Sequence, residues 1–221
     1  MYKILIGLFL SVLCLQAKCQ MQFDEGSCSE VLAKAKQEKR KVFKDCYTSW
    51  CGPCKMMAQE VFSREDVGQF MNTRFVNVKL DMLSEDGKQY ADKYKIGAYP
   101  SFLLLNGKGE LLYKFVGGKS ADVFMAEIRK GMKPDNRVKS MDDTYATGKY
   151  SNDFLREYVQ LKLQLLEKGE SLRLGKEYFD KISPEERLQP ENSFLFADRT
   201  LGGINSTNMR YLLEHWQDFV W

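Results

Sequence analysis

Two cysteines, Cys51 and Cys54, stand one helical turn apart in the stretch TSWCGPCK (48–55), with Gly52 and Pro53 between them and Trp50 in front. A structural zinc ion takes four ligands, usually from two such pairs or from one pair plus histidines. The sequence has no second C-x-x-C, Cys28 and Cys46 are isolated, and the one histidine, His215, lies far downstream. Haem attachment wants a histidine directly after the second cysteine, where Lys55 stands. A purely structural bridge is a poor reading, because so small a ring restricts the unfolded chain very little. A redox couple fits on physical grounds, with no metal and no cofactor required. A strand ending at Trp50 sets Cys51 on the first turn of the following helix, whose unpaired N–H groups favour a thiolate. Cys54 is within disulfide reach one turn on. Pro53 lacks an N–H and suits an early helical position, and Gly52 leaves room for a partner's backbone.

The elements that must hold this pair are legible on both sides of it. SCSE (27–30) is a capping box that opens a lysine-rich helix to about Arg40. KVFKDCYTS (41–49) has strand composition and runs into the cysteines, and 51–62 follows a helical pattern with Met56, Met57, Val61 and Phe62 on one side. SRED (63–66) starts a short helix, RFVNVKLD (74–81) alternates as a strand, and 88–94 is a short helix. Pro100 opens the strand SFLLL, NGKG (106–109) turns it, ELLYKFV returns, and Ser120 caps a helix to about Met132. This order, α-β-α-α-β-α-β-β-α, predicts a mixed sheet with helices on both faces. KPDNRVKS (133–140) reads as a polar linker, and everything after it has helical periodicity, with a break at Gly169, a capped helix at SPEE (183–186) and a last helix ending WQDFVW.

Alternation puts Phe43, Asp45 and Tyr47 on one face of the strand before the cysteines, so Asp45 points inward if Phe43 does. A carboxylate beneath Cys54 would serve as a general base; on the surface it would be a solvated charge. Cys46 faces the other way and reads as packing; Cys28 could meet it only if the first helix lies beside this strand. Trp50 is either a partly exposed lid over the pair or a core residue.

The chain resembles the thioredoxin family over roughly Val42 to Met132. WCGPCK matches the active-site motif residue for residue. Asp45, six residues before Cys51, stands where thioredoxins carry a buried aspartate, and Lys79 in VKLD matches the lysine that accompanies it. Tyr99–Pro100 matches the family's cis-proline, which faces the cysteines and pairs with substrate backbone, and Gly117 matches the glycine after the last strand. The resemblance implies a thioredoxin fold followed here by an all-helical C-terminal domain. It implies Cys51, Cys54, Asp45 and Lys79 as catalytic residues, and Trp50, Tyr99, Pro100 and Gly117 as the substrate-binding rim. Three departures stand out. Gln59 replaces a helix-kinking proline, which predicts a straighter helix; Tyr47 replaces a tryptophan; and the segment between Lys79 and Pro100 is a few residues longer.

At the N-terminus, Lys3 precedes an apolar run of 12 residues (4–15) and small residues at Ala17 and Cys19. This is the layout of a cleaved signal peptide, with cleavage before Gln20; a buried N-terminal element and a lipidated Cys14 or Cys19 are the alternatives. The domain plan is then a signal peptide (1–19), a thioredoxin-like domain (20–133), a linker (134–140) and a helical domain (141–221), in a periplasmic or secreted protein. Without Lys3 and Lys18 the net charge falls from +3 to +1, which offers nothing for nucleic acid or an anionic membrane surface. The expected function is an exported thiol–disulfide oxidoreductase that reduces protein disulfides and takes electrons from a membrane donor. A binding or chaperone module whose tail recruits a partner is the alternative, as is a disulfide oxidase or isomerase. Trp216, Phe219, Val220 and Trp221 leave apolar surface on the last helix, which calls for cover by a partner, a second copy or the first domain, or else for a natural chain that continues further. Cutting at Ser140 is expected to leave a folded, redox-active fragment.

Overall fold

In the computed structural model, which describes residues 20–134 and 136–219, four strands form one sheet in the order β2-β1-β3-β4. β1 (Lys41–Tyr47) pairs in parallel with β2 (Phe75–Asp81) and antiparallel with β3 (Ser101–Leu105), which pairs antiparallel with β4 (Leu111–Val116). The parallel pair requires a crossover, supplied by α2 (Gly52–Met56) and α3 (Glu65–Arg74). α1 (Cys28–Gln37) starts at Ser27, whose side chain and that of Glu30 form the capping box. α4 (Glu85–Tyr94) leads to β3, and α5 (Ala121–Met132) follows β4. The signal-peptide expectation, like Val220 and Trp221, lies outside the described residues.

The sheet is apolar on both faces, as a sheet covered on both sides must be. On one face the rings of Phe43, Phe62, Phe102 and Phe124 pack on one another, Phe43 against Phe124 edge-on at 5.7 Å and against Phe102 stacked at 5.8 Å. Each fully buried ring is worth about 1.5–3 kcal/mol. On the other face, α1 sets Val31 and Ala35 against Val42, Cys46, Leu103 and Leu105.

Three expectations change. The helix after the cysteines, expected straighter for want of a proline, is not one regular helix. It is α-helical over 52–56 and π-helical over 57–61, a bulge that itself deflects a helix. The stretch expected as a linker is helical from Arg137: Asn136 caps α6 (Arg137–Ala146), and Val138 and Met141 are buried in the core that β4 shares. The break between α7 (Asn152–Gln164) and α8 (Lys168–Lys181) falls before Gly169, where Leu166 takes a left-handed φ of 53°.

The extension is therefore not a detached unit. Its buried residues Leu155, Tyr158, Leu174 and Tyr178 belong to the same apolar cluster as Phe43 and Phe124, and α6 lies against β4, the edge strand. At the far end, α11 (Thr207–Glu214) leads to Phe219, which sits edge-on to Phe196 at 5.1 Å, whereas Leu213 and Trp216 are each 66% exposed.

Candidate functional site

β1 ends at Tyr47, and the chain turns through Thr48–Trp50 into α2, with the Cys51 N–H donating to the Thr48 carbonyl at 3.2 Å. Cys51 is the N-cap of α2: its sulfur accepts the Cys54 N–H at 3.1 Å, and Pro53 occupies the first turn, where its missing N–H is no loss. Cys51 and Cys54 form a disulfide, S–S 2.06 Å, with both residues mostly buried. Gly52 and Pro53 between them are exposed, and nothing lies within 4 Å of where a Cβ on Gly52 would stand. A partner's backbone can thus approach the pair from the Gly52 side.

Around it, Trp50 is 66% exposed and meets the half-buried Tyr99 ring edge-on at 6.0 Å. The Tyr99–Pro100 peptide is cis, and the Gly117 N–H donates to the Pro100 carbonyl at 2.8 Å, with Gly117 at φ +88°. Trp50, Tyr99, Pro100 and Gly117 are connected in this way into one rim.

Asp45, opposite Phe102 across the sheet, is 2% exposed, with Oδ1 unpartnered among the described residues. Burial pushes its carboxyl up to about 7, against the opposing pull of Lys79, its cross-strand partner on β2. Lys79 is itself exposed, and its ammonium sits over the Phe23 ring at 4.8 Å. Its part is a tempering charge on Asp45 at the edge of the cluster. Cys46 points to the opposite face, fully buried, and neither it nor Cys28 is in a disulfide.

Asp45 keeps its proton to about pH 7 in the folded protein and only to about pH 4 in an unfolded chain. Stability from this group is therefore complete below pH 4 and is lost as pH rises through 7. Asp45→Asn is expected to flatten that decline and to be more stable than the parent at pH 8 by about 4 kcal/mol, measured by urea unfolding at pH 5 and pH 8. Equal pH dependence in the two proteins would show that Asp45 is not the titrating group.

Residues that sequence reasoning passed over also hold the site. A Cβ on Gly118 would stand 2.8 Å from Met56 Cε and 3.3 Å from Pro53 Cβ, so a side chain there would press on the active-site helix. The Met57 sulfur accepts the Lys119 N–H at 3.2 Å, tying the π-helical turn to the same loop. The adjacent glycine pair was the only available signal; the methionine acceptor left none.

A family model described as a thioredoxin-like domain matches residues 28–131. Thioredoxin H1 of Arabidopsis thaliana is 35% identical over 95 residues, 43% of this chain and 77% of that protein. A protein disulfide-isomerase of Datisca glomerata is 24% identical over 98 residues, 44% of this chain and 19% of that protein, so the chain spans about a fifth of the disulfide-isomerase it matches. Among solved structures, a Bacteroides thetaiotaomicron protein provisionally described as a disulphide-isomerase is 36% identical and covers 52% of this chain and 96% of its own, with a TM-score of 0.49. By the domain model and by a relative matched across most of its own length, the chain belongs to the thioredoxin-like superfamily.

Proposed function

We propose that the chain is a thiol–disulfide oxidoreductase that reduces protein disulfides through Cys51 and Cys54. The observation that carries this reading is the Cys51–Cys54 disulfide at the N-terminus of α2, mostly buried itself but with the exposed Trp50, Gly52 and Pro53 around it. In the reduced protein, the Cys51 thiolate attacks one sulfur of a substrate disulfide; the other leaves as a thiolate and takes a proton. Cys54 loses its proton to Asp45 and attacks the Cys51 sulfur, which re-forms the Cys51–Cys54 disulfide and releases the second substrate thiol. Two electrons pass from enzyme to substrate. A base that changes charge near pH 7 suits the second step.

The direction of flow follows from what stabilises the thiolate. Gly52 and Pro53 place no charge or histidine beside Cys51, and Asp45, when ionised, opposes a second negative charge nearby. Strong oxidants instead stabilise their reduced form. The couple is therefore expected near the thioredoxin potential of about −270 mV, measured by equilibration in glutathione buffers. A value near about −150 mV would make the protein an oxidase or isomerase, the activity that the names of its disulfide-isomerase relatives describe.

The N-terminal layout supports export, with cleavage before Gln20, to the periplasm or beyond. A reductant in an oxidising compartment needs resupply, so the proposal includes a membrane protein that passes electrons outward to Cys51 and Cys54. Thiol trapping of the exported protein in cells tests both points: the pair should be found reduced, and oxidised once the donor is removed.

A further inference from the structure

β1 carries reactive groups on both faces. Asp45 turns to the face of the aromatic cluster that holds Phe102, and its neighbour Lys44 turns to the face covered by α1 and α4. Lys44 is 1% exposed, and no carboxylate pairs with it among the described residues. Its ammonium donates to the Cys28 sulfur at 3.3 Å and lies 3.9 Å from the centre of the Tyr90 ring. A buried ammonium needs an anion or a full set of acceptors. The phenol of Tyr90 is a poor anion here, since burial and then the hydrogen bond with Cys28 both push its ionisation upward. The acceptor the structure gives this ammonium is the Cys28 sulfur. Cys28 is also the first residue of α1, after the Ser27 cap, where free N–H groups favour negative charge. Unlike Cys46 on the same face, it is partly exposed.

We propose that Cys28, Lys44 and Tyr90 form a second reactive-thiol site, separate from the Cys51–Cys54 couple, at which the Cys28 thiolate is oxidised by small hydroperoxides. The sulfur attacks the terminal oxygen of R–O–O–H; the S–O bond forms as the O–O bond breaks. Sulfur gives up two electrons and becomes a sulfenic acid, and the peroxide is reduced. The departing oxygen takes a proton from the Lys44 ammonium and leaves as an alcohol, or as water when the oxidant is hydrogen peroxide. The proton is replaced from solvent on the partly exposed Cys28 side of the site. The Tyr90 ring holds the ammonium against the sulfur.

The test uses full-length protein carrying Cys51→Ser and Cys54→Ser, which removes the other couple. Hydrogen peroxide is added with dimedone, which captures sulfenic acids, and labelling of each cysteine is followed by peptide mass spectrometry. Cys28 is expected to label about tenfold faster in the native protein than in the same protein unfolded in urea, although an ordinary half-covered thiol would slow on folding. Lys44→Met is expected to abolish that advantage, and Tyr90→Leu to reduce it severalfold. Native labelling no faster than unfolded labelling would overturn the proposal, and this comparison needs no further variant to fold. So would a folded Lys44→Met protein that labels at the parent rate.

Discussion

Cys54→Ala protein mixed with disulfide-bonded substrates is expected to accumulate reductant-sensitive adducts on Cys51, and Cys51→Ala is expected to reduce insulin no faster than a blank. These are the largest effects available, because each removes one of the two steps outright. Without Cys54, a mixed disulfide on Cys51 has no thiol to resolve it among the described residues: Cys46 is sealed on the opposite face and Cys28 lies at the start of α1. Without Cys51, the N-cap of α2 beside the exposed Gly52 carries no thiol. The comparison belongs in a Cys28→Ser background, since among the described residues Cys28 is the one other thiol with solvent access. In that background the Cys51→Ala, Cys54→Ala double variant should trap nothing. Adducts equal to those of Cys54→Ala alone would show that Cys51 is not the attacking thiol.

What could be read beforehand was local in sequence. Cys51 and Cys54 announce themselves by spacing, the Ser27–Glu30 and Ser183–Glu186 boxes by residue type, and Asp45 by its parity with Phe43 along one strand. Each is a rule about neighbours. The features that escaped join residues far apart in the chain. Lys44 and Lys114 sit in strands at positions where a lysine reads as solvated, yet each is 1% exposed, and each is buried because a distant element supplies its partner. The π-helical turn at 57–61 and the packing of Gly118 on Pro53 and Met56 depend on the loop after β4. The polar stretch at 134–140 has linker composition; only its docking on β4 makes Val138 and Met141 core residues.

Cutting the chain after Ser140 is now expected to leave a fragment that unfolds readily, against the simplest reading of the sequence. Lys114 lies on β4 with its side chain fully enclosed, donating to the carbonyls of Tyr94 and Lys95 and paired with Glu167 of the α7–α8 turn. Burial lowers the tendency of Lys114 to hold its charge, and Glu167 first, then Asp142, opposes this. Glu167 also meets Lys162 at 3.2 Å, and Lys162 meets Asp142 at 2.8 Å, so two cations and two anions balance inside the joint. Breaking a buried pair by removing one partner costs about 3–5 kcal/mol, because the other charge is left stranded. Truncation removes Glu167 and uncovers the β4 edge as well, so its effect should exceed that figure; Glu167→Leu in the full chain isolates the charge alone. Replacing both partners with apolar residues of similar size, Lys114→Met with Glu167→Leu, should recover most of the loss, since such swaps are often neutral. Urea unfolding of these four proteins checks the set. A fragment ending at Ser140 that matches the full chain in stability and insulin reduction would restore the reading of two separable domains. A fragment rescued by Lys114→Met would instead assign the defect to the stranded ammonium, and the extension would then be the part of the fold that makes a charged β4 tolerable.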